Sequence, residues 1–413
     1  MVNFIGILGY SIIFPILIFM VEDFGGNGFI YGVLGSTYSA FQLVGAPILG
    51  RWSDNIGRKK VLIVSQAGTF LAWILFIVAV SLPNQTLFSV ENSFGGSFLI
   101  TLPLVFLFIA RALDGLTGGN VSVANAYLSD VSTDDNRKAN FGKMASSTSL
   151  GLVLGPAVSG LLASTILGSL LPVLIAALIS LIAIVVIKYF LPESKQNLVV
   201  ADTDKFNASK LFQIENKECY EMKDCPDLSF WSILKMENIA LLFLIYFLTF
   251  LGFSLFYASF PIYASTDLQW TSTELGLYLT VLSGIMIVVQ GPILTYLSSR
   301  VSDRFLIILG CLLIGINFFV LPIGTFPALI IANISMAFGN GLMWPSFLAV
   351  LAQTSPPFAT GTIQGYGNSM GSLASIFGLI LGGLLFGQIG PIIFWLAGAM
   401  MIIILLICLF RMK

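Results

Sequence analysis

The chain has 413 residues, of which 57% are hydrophobic and only 9% charged, and its 19 Lys and Arg against 20 Asp and Glu leave a net charge of −1. That is far from the soluble mix of roughly a quarter charged residues, so lipid is the expected solvent and nucleic acid is not an expected partner. Histidine is absent, which excludes imidazole catalysis, imidazole proton relay and His-ligated metal. With no nucleotide loop or nucleophile motif either, neither an enzyme nor a cofactor is expected.

Stretches free of Asp, Glu, Lys and Arg run from Val61 to Val90, Met144 to Ile187, Ile239 to Thr266, Leu275 to Ser299 and Phe305 to Phe410. Each can hold one or more spans of the roughly 20 residues a bilayer demands. They lack the alternation of barrel strands, so helices are the remaining way to satisfy the backbone in lipid. Polar breaks, Pro and Gly divide the chain into twelve expected spans, near 3–20, 28–50, 61–82, 101–128, 140–164, 169–191, 237–263, 272–298, 304–322, 326–352, 360–386 and 390–411. The first has no basic lead and no small-residue cleavage site, and reads as a retained helix.

Counted alternately, one set of loops holds Arg51, Arg58, Lys59, Lys60, Arg137, Lys138, Arg300, Arg304 and the linker lysines, while the other holds only Glu22, Asp23, Glu91, Asp267 and Glu274. The positive-inside rule then places both termini in the cytoplasm of a multi-pass inner (plasma) membrane protein. Cys219 and Cys225 fall in a cytosolic loop and read as plain thiols. The long polar segment 192–236 reads as a linker between two six-helix bundles, 1–191 and 237–413. Echoes between the halves support a parallel duplication: Phe14-Pro15-Ile16 with Phe260-Pro261-Ile262, and Pro47-Ile48-Leu49 with Pro292-Ile293-Leu294. Many transporters build a central site between such repeats.

The loop after the second span reads Gly50-Arg-Trp-Ser-Asp54-Asn-Ile-Gly57-Arg58-Lys59-Lys60. Gly50 suits close helix approach, Gly57 a tight turn, and Asp54 an acceptor for helix amides or an arginine; a plain basic stop-transfer loop is the alternative. The pattern resembles the signature loop of the major facilitator superfamily, which implies a cytoplasmic latch. Asn55 stands where the family carries a basic residue. Asp130 and Arg137 are expected to join Asp54 and Arg58 in a charge network, or else to be solvated loop charges.

The fourth span carries Arg111-Ala-Leu-Asp114-Gly115-Leu-Thr-Gly118-Gly119-Asn120, with Ser122 and Asn125 beyond. On one continuous helix Arg111, Asp114, Gly118, Ser122 and Asn125 share a stripe. Ionisable groups inside a span are costly and count as functional candidates; two readings stay open, a structural ion pair or a functional one. The stretch resembles the superfamily's fourth-helix motif, whose arginine is tied to proton coupling or substrate binding.

Gly151-Leu-Val-Leu-Gly155-Pro156-Ala-Val-Ser-Gly160 forms a small-residue stripe with a proline. It resembles the fifth-helix antiporter motif that marks exporters. Ala124 to Asp130 and Phe141-Gly142 resemble the corresponding passage of the twelve-helix drug:proton antiporters, tetracycline-efflux proteins included, and Leu191-Pro192-Glu193-Ser194 fits the superfamily's sixth-helix ending. Those relatives carry a first-helix acid where this chain has Gly6, which leaves Asp114 as the carboxylate for a proton. In the second half Gln290, Asn340, Gln364 and Asn368, with Tyr257, Trp344 and Tyr366, are the expected cavity groups, or else helix-to-helix hydrogen-bonding partners. Aromatic walls with few polar anchors suit an amphipathic solute.

The resemblance implies an all-α major facilitator fold, alternating access, and efflux of an amphipathic drug-like or metabolite solute in exchange for protons by a monomer. An uncoupled facilitator, a nutrient symporter, and a non-transporting receptor or assembly factor are the alternatives.

Overall fold

The computed structural model describes residues 2–92, 95–118, 120–132, 134–194, 230–355 and 360–411. In chain order the helices are α1 (Val2–Asp23), α2 (Gly28–Ile56), α3 (Arg58–Ser81), α4 (Leu102–Thr117), α5 (Asn120–Val131), α6 (Asp134–Ala163), α7 (Leu170–Phe190), α8 (Phe230–Leu234), α9 (Ile239–Thr266), α10 (Ser272–Val288), α11 (Leu294–Ser298), α12 (Asp303–Val320), α13 (Phe326–Thr354), α14 (Thr360–Ile389) and α15 (Ile392–Phe410). The pair α4–α5 makes the fourth rod. The eighth is α10 and α11 joined through a π-helical turn, Val289–Ile293. Among the described residues nine helices are long and apolar enough to cross a membrane; α2, α4–α5 and α6, the rods richest in polar residues, are not among those nine.

Local chemistry sets the rod ends. Asn27 caps α2 by accepting from the Ile30 amide, and Ser302 caps α12 by accepting from Phe305. Pro103 and Pro327 open α4 and α13, where no amide partner is needed. At the other ends, Gly57 has φ 103° between α2 and α3, a conformation that a side chain strains.

The chain divides into two compact units. The first comprises the N-terminal half together with Ala258–Ser283 and Leu379–Gly390. In it α1 packs on α6 and α7, α2 on α4, and α3 on α4 and α7. Lipid supplies no hydrophobic drive between helices, so close backbone approach does that work. A Cβ at Gly45 would strike the Leu116 carbonyl, and one at Gly155 would strike Ser11, whose hydroxyl donates to Gly151 O at 2.8 Å. The second unit holds Gly284–Gly378 and Pro391–Lys413 with the first part of α9; there α12 packs on both α13 and α15, and Gly310 meets Gly339.

Between α3 and α4, where only a loop is expected, the chain forms an antiparallel hairpin of β1 (Thr86–Asn92) and β2 (Gly96–Thr101), with Val90 opposite Phe98. It is tied to the turn between α1 and α2. Leu99 N donates to Gly25 O at 2.8 Å, Thr101 Oγ1 to Phe24 O at 2.8 Å, and Asn27 Nδ2 to Gly95 O at 2.7 Å. Still within the first unit, the helix ends nearby meet through small residues. A Cβ at Gly383 would strike the Gly28 carbonyl, one at Gly32 the Leu379 carbonyl, and one at Gly276 would come within 2.9 Å of the Gly160 Cα. Thr273 donates to Gly160 O and Ser265 to Glu22 Oε1, each at 2.9 Å.

Candidate functional site

Apolar α4 carries Arg111 and Asp114 one turn apart, and its packing between α2 and α3 buries both, to 3% and 8% exposure. Arg111 Nη1 stands 3.8 Å from Asp114 Oδ2, close enough for an ion pair and longer than a good charged hydrogen bond. At an effective dielectric near 20 that separation gives about 4 kcal/mol of attraction, against several kcal/mol per ion for leaving water. Attraction of that size does not repay the burial.

Other contacts fix the pair. The Arg111 guanidinium lies over the Tyr38 ring at 4.6 Å, a cation–π contact from α2. Gln42, one turn on, donates its amide to Tyr38 Oη at 3.1 Å and to Gly118 O at 3.2 Å. The glycines of α4 make room: a Cβ at Gly115 would lie 2.5 Å from Tyr38 O, and one at Gly118 3.0 Å from Tyr38 Oη. Thr69 of α3 bears on the Asp114 carboxylate. Arg111 Nε has no hydrogen-bond partner among the described residues.

The fourth rod is not one continuous helix, which corrects the expected stripe. α4 ends at Thr117, with Gly118 N bonded to Gly115 O, and α5 begins at Asn120. The turn interrupts the phase, and Asn125 is exposed. The side chains of Asn120 and Ser122 lie outside the described residues.

At the linker end Arg58 is buried and pairs with Asp130, Nε to Oδ2 at 3.0 Å, while its Nη1 donates to Ser53 Oγ. Ser194 donates to the same Asp130 oxygen at 3.2 Å, and Glu193 Oε1 accepts from the Lys59 amide at 3.0 Å, which caps the start of α3. A Cβ at Gly57 would meet the flexible end of that carboxylate at 2.9 Å, which can shift aside, so the positive φ is what calls for glycine. The side chains of Asp54 and Arg137 lie outside the described residues. Among the described residues nothing lies within 4 Å of where a Cβ at Gly50 would sit.

The α6 stripe divides its work. Gly151 and Gly155 face α1, whereas Gly160 faces Thr273 and Gly276 of α10, and the carbonyl of Pro156 meets Gly276.

In the second unit Trp344 of α13 stands edge-on to Tyr246 and Phe250 of α9, each at 5.1 Å, and Tyr246 stacks on Phe250 at 5.1 Å. Tyr246 donates to Asn368 Oδ1 at 2.8 Å. Asn368 and Gln364 are exposed on α14; Trp344, Asn340, Tyr257 and Tyr366 are half-buried; half-buried Gln290 sits in the π-helical turn, a local widening frequent at functional sites. Tyr38, Gln42, Tyr246 and Phe250 are absent from the sequence-based set. The i, i+4 spacing of Tyr38 and Gln42 was the available signal, and it is uncharged and therefore quiet.

Over 415 residues the chain is 24% identical to the tetracycline resistance protein, class D, of Salmonella ordonez, covering 98% of this chain and 94% of that protein. It is 26% identical to multidrug resistance protein 2 of Bacillus subtilis (strain 168), over 97% of this chain and 90% of the other. Its fold matches the crystal structure of the human organic anion transporter MFSD10 (TETRAN) with a TM-score of 0.70 at 19% identity, covering 98% of both chains. The sequence profile of the Major Facilitator Superfamily matches residues 1–241 and again 242–413, and the chain belongs to that family of membrane transporters.

Proposed function

We propose that this transporter works by alternating access and exports an amphipathic, drug-like or metabolite solute in exchange for protons. The observation that carries the reading is the buried Arg111–Asp114 pair, an acid and a base enclosed among membrane helices at a cost that packing alone does not reward. Asp114 takes the proton. Arg111 stabilises the carboxylate when the proton leaves and offers donors to the solute.

Three further observations support it. The small-residue seams at the hairpin end are backbone against backbone, crossed by the Thr273–Gly160 and Ser265–Glu22 hydrogen bonds, and carry no ion pair among the described residues, so they can part and reform. Trp344 and Phe250, half-buried against the buried Tyr246 ring, offer stacking faces beside the exposed amides of Gln364 and Asn368. Relatives named for tetracycline and multidrug resistance favour export. In this reading the linker end and both termini are cytoplasmic, the Arg58–Asp130 cluster is the cytoplasmic latch, segments 1–191 and 237–413 are the moving halves, and the monomer suffices.

The test is Asp114→Asn in proteoliposomes, with tetracycline as the first probe and others chosen by thermal shift, since ligands that favour the native state raise its stability. Counterflow should persist while accumulation driven by a pH gradient disappears. Loss of both, or of neither, argues against a proton on Asp114. Accumulation that survives a protonophore favours a facilitator driven by another gradient.

A further inference from the structure

We infer that Tyr38 is the positioning residue through which a bound solute acts on the Arg111–Asp114 pair; the inference rests on the proton-coupled reading above. On α2, Gly28, Gly32 and Gly35 form one stripe, facing Ile262 and Leu379, and Gly45 faces α4 at Leu116. At helical spacing Tyr38 falls about 20° from Gly45, on the face turned to α4, with Gln42 between it and the glycine stripe. The ring is partly exposed and carries the guanidinium on the α4 side.

The aromatic face attracts the cation without neutralising it, so Arg111 is held and still has donors to spare: its ion pair is 3.8 Å long and its Nε is unpartnered among the described residues. The hydroxyl is tethered in turn. Gln42 grips Tyr38 Oη and the Gly118 carbonyl at once, which links the ring to the break between α4 and α5. A solute that displaces the ring moves the guanidinium relative to Asp114, and the tether serves only to set the resting position of the ring. The charged groups facing the pair from α2, α3 and α4 reduce to Arg111 and Asp114 themselves among the described side chains, with Tyr38 the titratable neighbour.

The experiment compares Tyr38→Leu, Tyr38→Phe, Asp114→Asn and wild type in the same proteoliposomes, measuring tetracycline counterflow and pH-driven accumulation for each. Tyr38→Leu should lose about tenfold more accumulation than counterflow, and Tyr38→Phe, which keeps the face and loses the tether, should stay within about threefold of the wild-type ratio. Equal losses in both assays for Tyr38→Leu mark a packing residue and overturn the inference, as does a wild-type ratio. So does failure of phenylalanine to restore the ratio. If Asp114→Asn still accumulates solute, the coupling reading falls first and this inference with it. If Asp114→Asn loses accumulation and Tyr38→Leu does not, only the inference falls.

Discussion

The fourth rod of each half carries a different kind of chemistry. In the first half α4 presents a guanidinium and a carboxylate, fully enclosed and fixed by Tyr38, Gln42 and Thr69. In the second half α13 presents Trp344, half-buried among Tyr246, Phe250 and Phe347, with neutral amides nearby on α14. A buried charge is directional and expensive to leave unpaired, so it needs a rigid frame. Aromatic faces tolerate many orientations and cost little to expose. Under the function proposed above, the first half handles the ion and the second the body of the solute.

The most forceful way to break that comparison is Arg111→Met. It strands the Asp114 carboxylate without its cation, and stability should fall by about 3–5 kcal/mol, with accumulation lost. Adding Asp114→Leu should restore most of the stability and none of the accumulation. Denaturant unfolding in detergent together with proteoliposome flux reads both, and recovery of transport in the double variant would make the pair structural. Next is Trp344→Ala, expected to cost about 2 kcal/mol of stability and to weaken aromatic probes roughly tenfold while the ratio of accumulation to counterflow stays put. A changed ratio would place coupling in both halves.

Smaller effects sharpen the frame. Gly57→Ala forces a side chain into an unfavourable φ and should cost about 1–3 kcal/mol, read from the thermal midpoint. Gly50→Ala should stay within about 0.5 kcal/mol, because no described residue lies within 4 Å of the added Cβ. A large loss there would mean that Gly50 meets a neighbour in another state of the cycle.

Much of the fold was legible because lipid imposes a simple rule: uncharged runs of sufficient length become rods. The Arg111–Asp114 spacing and the partnership of Arg58 with Asp130 were legible for the same reason, since ions in an apolar chain have few places to go. What escaped notice is uncharged. The cap by Gln42 and Tyr38 depends on a helix–helix contact absent from any local pattern. The turn at Gly118 was overlooked although Gly118 and Gly119 stand side by side, because a helical wheel presumes unbroken phase. The hairpin escaped because Leu87, Phe88, Val90, Phe98, Leu99 and Ile100 look like the margin of a span, and only pairing with the α1–α2 turn makes strands of them.

That hairpin also offers a handle. Asn27 serves two masters: its oxygen starts α2, and its nitrogen holds Gly95 and Ser97. Any tilt of α2 that keeps its cap must carry the strands along. A fluorophore at exposed Glu91 would therefore travel with the helix that bears Tyr38, and an antibody fragment clasping β1 would act as a brake on it.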